Sequence, residues 1–299
     1  GWVLADWVMR GEAPMDLWVV DIRRFSDLHR DRQWVCERTC EAYGKHYSVA
    51  FPHEEMESGR PRIVSPLYDR LKAHRAVFGS KLGWERPNWF APEGVEPRDV
   101  YSMGRQNWFG PVGEEHALVR DAVGVFDQSS FAKYEVTGRD AERALDWVCA
   151  GDVTKPVGRL TYTQLLNSRG GIEADLTVAR IAEDRFYIVT GTGFRTHDLG
   201  WIADHLPQGD VRIEDVTEGW GTLSLMGPRA REVLEAVTDA DVSNAAFPFG
   251  HVREVDVAGA KTRALRVTYV GELGWELHVP LDATGRVFDA LMAAGAGAG

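Results

Sequence analysis

A pattern of strands and helices that occurs twice in the second half of the chain is the feature that most restricts its fold. Alternating apolar residues predict strands, and apolar residues three or four positions apart predict helices. In the first copy we expect strands at 131–137, 160–166, 172–181, 186–190 and 211–216, and helices at 140–149 and 196–206. In the second copy we expect strands at 222–226, 252–257, 263–270 and 275–280, and helices after Gly227-Pro228 and at 284–294. The order is close to β-α-β-β-α-β, which predicts an α+β fold of duplicated units with antiparallel sheets, in which the second unit lacks its last strand.

One acidic residue lies in each of two similar strand–turn–strand segments. The first segment, residues 167–178, reads N-S-R-G-G-I-E-A-D-L-T-V and places Asp175 early in its second strand. The second segment, residues 265–279, reads L-R-V-T-Y-V-G-E-L-G-W-E-L-H-V and contains Glu276. A lone acid on a strand most often faces water. Duplication, however, would place these two acids at equivalent positions and bring both to one central cleft.

Two tyrosines and a glycine turn lie close to these acids in the predicted topology. Tyr162 is on the strand that pairs with the one bearing Asp175, and Tyr269 precedes the second turn. Strand tyrosines are by default core residues with satisfied hydroxyls, but beside two carboxylates they could equally stack on a heteroaromatic ring. The sequence V-T-G-T-G at 189–193 lacks the third glycine of a dinucleotide-binding loop, so a backbone turn lining a cleft is the better interpretation.

Composition excludes several classes of partner. A formal net charge of −11 without long Lys/Arg runs argues against nucleic acid and acidic lipid, and no apolar run is long enough to predict a membrane span. The histidines and acids show no metal-ligand spacing, so we expect no metal. Cys36 and Cys40 lie one helical turn apart and are expected to share a buried helix face, which together with the unpaired Cys149 points to a reducing compartment.

The first half of the chain is less regular. We expect an amphipathic helix at 2–10 that ends at Gly11, an extended segment at 16–23, and a helix that Ser26 caps and that runs to about Tyr43. Leu67 and Leu71 indicate a further helical face. The polar stretch 93–99 reads as a linker between domains.

Several long motifs resemble a known family. The sequences L-T-Y-T-Q-L-L-N, G-G-I-E-A-D-L-T-V and T-Y-V-G-E-L-G-W-E-L resemble the folate-binding domain of the aminomethyltransferases, which include the T-protein of the glycine cleavage system. The stretch from L-A-D-W to I-R-R-F is similar to the close of the FAD domain of dimethylglycine and sarcosine dehydrogenases, and residues 59–72 and 78–90 resemble their connecting region. The resemblance implies three parts: a remnant of an FAD-dependent oxidoreductase domain (1–25), a connecting region (26–92) and a folate-binding domain truncated at its C-terminus (93–299).

The resemblance also implies roles for individual residues. Asp175 would be the catalytic carboxylate beside the N5/N10 edge of tetrahydrofolate, and Glu276 would bind the pterin. Tyr162, Tyr269 and Gly191 would line the folate pocket. Ala174-Asp175 stands where T-proteins usually carry two adjacent aspartates.

The activity implied is transfer of a one-carbon unit from an iminium to tetrahydrofolate, within an enzyme that oxidises dimethylglycine or sarcosine with FAD bound outside this chain. An electron-acceptor protein would be a further partner. The location would be the cytoplasm, or the mitochondrial matrix in a eukaryote. The alternative is a non-catalytic regulatory relative that keeps the folate-binding fold.

Overall fold

A computed structural model of the chain describes residues 1–298. The helices are α1 (Trp2–Arg10), α2 (Arg32–Gly44), α3 (Tyr68–Ala73), α4 (Phe109–Asp121), α5 (Ala141–Val148), α6 (Arg195–His205), α7 (Ala230–Glu235) and α8 (Thr284–Gly295). The strands are β1 (Ala76–Lys81), β2 (Trp84–Phe90), β3 (Gly124–Asp127), β4 (Ala132–Thr137), β5 (Leu160–Leu166), β6 (Ile172–Ala182), β7 (Arg185–Thr190), β8 (Arg212–Asp215), β9 (Trp220–Met226), β10 (Val252–Val257), β11 (Ala260–Leu265) and β12 (Gly274–Pro280). None of these helices combines the length and apolar character needed to cross a membrane.

The second half of the chain forms four layers. The first sheet has the strand order β5-β6-β7-β4-β8 and the second has the order β10-β11-β12-β9-β3, and the paired strands in both are antiparallel. Apolar residues of α5 and α6 cover the outer face of the first sheet, and those of α3, α7 and α8 cover the outer face of the second. Ala179, Tyr187 and Val189 on the inner face of the first sheet pack against Val252 and Leu265 of the second. The antiparallel α+β fold expected from the sequence is confirmed.

Two glycines show that the two sheets are built in the same way. Gly138 follows β4 and Gly227 follows β9, with φ values of 127° and 136°. Each glycine accepts a hydrogen bond at its carbonyl from the first residue of the next helix, Ala141 and Ala230 respectively. A Cβ at either position would collide with a backbone carbonyl oxygen that lies shortly before the edge strand of its sheet. Only glycine tolerates this combination of positive φ and close approach.

Each unit has three consecutive strands between its two helices, near the positions predicted from the sequence, which is one more than a plain β-α-β-β-α-β order. One further strand was not predicted. The sequence of the second unit predicts no strand equivalent to β8 of the first. Its place beside β9 is taken by β3, which precedes the first unit in the chain. The strand orders of the two sheets therefore make β6 equivalent to β11 and β7 equivalent to β12. The expectation that Asp175 and Glu276 occupy equivalent positions is wrong, because Asp175 is on β6 whereas Glu276 is on β12.

The N-terminal region follows the predictions only in part. Helix α1 ends at Gly11 in the left-handed conformation, as expected. The segment 16–23 is not extended but contains short 3-10 helices at Trp18–Val20 and Ile22–Arg24, because the Asp21 side chain accepts the backbone N–H of Arg23 and favours a local turn. Ser26 caps only the 3-10 helix Asp27–Arg30. Helix α2 has a cap of its own, since the carboxylate of Asp31 accepts the N–H groups of two residues in its first turn.

Two further features of this region were not predicted. Cys36 and Cys40 are exposed rather than buried, and within residues 1–298 helix α2 contributes no buried side chain, because its apolar residues are distributed around its circumference. Residues 76–90, a stretch rich in Gly, Pro and Trp, form the hairpin β1–β2, which turns at Leu82 and Gly83, both with positive φ.

Candidate functional site

Asp175 lies on the face of the first sheet that is turned towards the second. It pairs with Gln164 on β5, and its neighbour Thr177 pairs with Tyr162. Tyr162 and Asp175 are therefore diagonal neighbours on adjacent strands, and the Tyr162 hydroxyl donates a hydrogen bond of 2.5 Å to Oδ2 of Asp175. That hydrogen bond is the main cause of a raised pKa of Tyr162, so the phenol stays protonated. Both side chains are largely exposed, so the carboxylate is held in place and remains accessible.

Tyr269 and Gly191 follow strands of the two sheets, and Gly191 ends the strand next to the one that carries Asp175. Tyr269 lies beyond the end of β11 in irregular backbone, where a strand was expected, and 81% of it is exposed. The hydrogen bond to Asp175, burial and the Asp175 charge raise the pKa of Tyr162, and the Tyr269 phenol adds a smaller effect in the same direction. Gly191 follows β7. Thr177 on β6 pairs with Val189 on β7, and continuing this antiparallel register by two residues puts Gly191 opposite Asp175.

Glu276 projects from the inner face of the second sheet. It lies opposite Ser224 on β9 and Leu265 on β11, and its side chain is 12% exposed. The Nε2 atom of His278 is 3.6 Å from Oε2 of Glu276. The two acids therefore come from the facing surfaces of the two sheets, one at an open position and the other at a nearly closed one.

His278 is fully buried and was not singled out in the sequence. Its Nδ1 lies 3.0 Å from the Tyr187 hydroxyl and 3.2 Å from the Thr222 hydroxyl. Its Nε2 has no hydrogen-bond partner among residues 1–298. Burial lowers the pKa of His278, although the adjacent Glu276 opposes this shift, so the imidazole is neutral at physiological pH.

Lys133 on β4 is a second buried base of the inner layer that was missed. Its Nζ donates to the carbonyls of Ser129 and Phe131, both at 2.9 Å. Burial lowers the pKa of Lys133 to about 7, while the charges of Asp127 and Glu276 act in the opposite direction. In the sequence F-A-K-Y-E-V this lysine alternates with apolar residues and reads as a position facing water, but both faces of β4 are covered.

Arg263 completes the polar part of the inner layer. Its guanidinium lies over the rings of Tyr187 and Trp220, at 4.4 and 4.8 Å from their centroids. It also pairs with Glu135 at 3.4 Å. The layer between the sheets thus holds buried charged groups next to aromatic rings.

Two cavities lie away from these residues. One of about 420 Å³ is between the segment after α1 and helix α6, and Trp18, His197 and Trp201 are among the residues that line it. Another of about 810 Å³ is next to the 3-10 helix Asp27–Arg30. Neither lining includes any of the five site residues predicted from the sequence. Within residues 1–298, no group of three or more His, Cys, Asp or Glu is arranged to hold a metal ion.

Comparison with known proteins adds to this geometry. A family model described as GCVT N-terminal domain matches residues 67–299, and one described as FAD dependent oxidoreductase central domain matches residues 10–65. The human mitochondrial sarcosine dehydrogenase is 37% identical over 336 residues, covering 99% of this chain and 37% of that protein. The human mitochondrial dimethylglycine dehydrogenase is 37% identical over 298 residues, covering 99% and 34%. The chain therefore spans about a third of the length of these curated relatives.

A solved structure shares the fold. The glycine cleavage system aminomethyltransferase T from Bartonella henselae is similar with a TM-score of 0.64 at 26% identity, covering 77% of this chain and 57% of that one. These matches confirm the resemblance that the sequence motifs indicated.

Proposed function

Because this chain belongs to the family of the GCVT N-terminal domain, we propose that its two-sheet unit binds tetrahydrofolate and assists transfer of a one-carbon unit to it. We further propose that the chain is part of a longer FAD-dependent oxidoreductase that demethylates dimethylglycine or sarcosine. The observation that carries the proposal is the pair of acids on the facing surfaces of the two sheets, of which Asp175 accepts a hydrogen bond from Tyr162 and Glu276 lies beside His278.

Glu276 fits the recognition of a pterin. Its carboxylate is acceptor-only, and its two oxygens match the adjacent ring N–H and exocyclic amine of a pterin. The side chain is nearly closed off from solvent, which strengthens such charge-assisted hydrogen bonds. His278, whose Nε2 has no hydrogen-bond partner among residues 1–298, adds a polar group beside this carboxylate.

Asp175 fits the role of proton acceptor in the transfer. Bound tetrahydrofolate would supply the nitrogen nucleophile that takes up the one-carbon unit. Tyr162 occupies Oδ2 of Asp175, which leaves Oδ1 free to accept the proton that the attacking nitrogen loses. The same negative charge favours a cationic one-carbon donor nearby. Gly191, at the end of the strand next to Asp175, and Tyr269 beyond β11 would contact the folate.

The remaining partners belong to the longer protein. We place the flavin outside this chain, since the G-x-G sequence at Gly191 leaves an antiparallel strand and enters a short 3-10 helix rather than a Rossmann turn. The substrate would be an N-methylated amine, and an electron-acceptor protein would reoxidise the flavin. The names of the two dehydrogenases point to the mitochondrial matrix in a eukaryote, and the cytoplasm would be the location otherwise.

The test is calorimetric binding of 5-formyltetrahydrofolate to the full-length protein, together with single-turnover transfer to tetrahydrofolate. We expect Glu276→Ala to weaken binding about tenfold or more, because a charge-assisted hydrogen-bond pair is lost. Asp175→Ala should bind nearly normally but transfer at least about a hundredfold more slowly. Asp282→Ala and Asp184→Ala, which remove exposed acids just after the strands that carry Glu276 and Asp175, are the controls. Unchanged affinity and rate in both site variants would reject the assigned roles.

A further inference from the structure

The side chain behind Glu276 has an unusual arrangement for a core residue. His278 lies two positions along the same strand, is fully buried, and is tied on one side only, by the hydroxyls of Tyr187 and Thr222 near Nδ1. A histidine that merely filled the core would be expected to have both ring nitrogens satisfied or to be replaced by an apolar residue. Here the second nitrogen is free within the described chain and lies next to a carboxylate.

The neighbouring carboxylate determines which nitrogen carries the proton. A hydroxyl can donate to Nδ1 or accept from it, so the contacts with Tyr187 and Thr222 fit either tautomer. A neutral imidazole whose Nε2 carries the hydrogen directs an N–H group at Glu276. The opposite tautomer would direct the lone pair of Nε2 at the negative charge of Glu276, which is unfavourable. The acid therefore selects the tautomer with an N–H group directed at Oε2, in which Nδ1 accepts from a hydroxyl.

We propose that His278 is a positioning residue for the ligand-binding carboxylate, in which Tyr187 and Thr222 fix the ring and its Nε2–H holds Oε2 of Glu276, so that Oε1 is presented to the ligand. This inference rests on the proposed folate-binding function and names a residue that acts through Glu276 rather than touching the ligand itself. The 3.6 Å separation is longer than a direct hydrogen bond. A shift of about half an ångström closes it, and such contacts often tighten when a ligand binds.

The test is a double-mutant cycle on the full-length protein, with 5-formyltetrahydrofolate as the calorimetric probe. His278→Leu should weaken binding about tenfold, the usual effect of losing a hydrogen bond to a charged group. His278→Gln, whose amide N–H can take the place of Nε2–H, should recover most of this loss. In a Glu276→Ala background, His278→Leu should cause less than about a twofold further loss, since it acts through the missing carboxylate.

The outcomes separate positioning from a structural role. Equal losses from His278→Leu in both backgrounds, or no rescue by glutamine, would overturn the proposal. If His278→Leu does not fold, Tyr187→Phe keeps the ring volume and removes one hydroxyl from Nδ1, and it should weaken binding only when Glu276 is present. A wild-type protein that does not bind the probe, or a Glu276→Ala variant that binds it normally, would reject the proposed function instead, and the positioning role with it.

Discussion

Replacing Lys133 by methionine tests the electrostatic description of the layer between the sheets. The folded protein protonates this lysine only below about pH 7, whereas an ordinary lysine protonates below 10.5. Between these values the unfolded chain binds more protons than the folded one, so wild-type stability rises with pH across that window. At about 1.4 kcal/mol per pH unit, the full penalty below pH 7 is about 4 to 5 kcal/mol. The carbonyls of Ser129 and Phe131 favour the ammonium and make this an upper limit.

Methionine removes both the titration and the two donated hydrogen bonds. Losing those donors costs about 1 to 3 kcal/mol at any pH. Lys133→Met should therefore be more stable than wild type near pH 7 and less stable near pH 10, with a crossing between them. Urea unfolding at both pH values measures the difference, and Lys261→Met on an exposed position of β11 is the control. The difference in free energy of unfolding between wild type and Lys133→Met should change with pH. A change of less than about 1 kcal/mol between the two pH values would refute the reasoning.

Two further predictions concern stability. Gly138→Ala should destabilise the protein by about 2 kcal/mol or more in urea unfolding, since its φ of 127° and a facing carbonyl oxygen exclude a Cβ, while the exposed Gly110→Ala should not. Glu85→Ala should cost about 3 kcal/mol because it leaves the guanidinium of Arg60 unpaired in a mostly buried site, whereas Glu96→Ala on an exposed ion pair should change the melting temperature little. Equal effects in a variant and its control would contradict either argument.

The fold was predictable where one face of an element is apolar and the other is polar. The strands and helices of the duplicated units follow from such periodicity, and Gly11 ends α1 as expected. Strand β3 was missed because four residues carry too little pattern. The segment around Asp21 was misread because a side chain that bonds to nearby backbone can override the apolar pattern of its neighbours.

The candidate site was predictable only in outline. The motifs identified Asp175 and Glu276, and the structure places both on inner faces, but strand correspondence cannot be read from a short repeated phrase such as E-L-H-V. The hydrogen bond from Tyr162 depends on the register of β5 against β6, which only pairing defines. Lys133 and His278 were missed because both faces of these strands are covered. In such strands, successive side chains alternate between two buried layers, so the alternation of residue types no longer distinguishes core positions from exposed ones.

Strand β3 also limits how the chain can be divided. The first unit contains all five strands of its own sheet, but the second depends on residues 124–127, which precede the first unit. A polypeptide that started at residue 217 would leave one edge of β9 with unpaired N–H and C=O groups, a template for aggregation. Shortened or circularly permuted versions of the second unit would therefore need this four-residue segment attached, despite its distance along the chain.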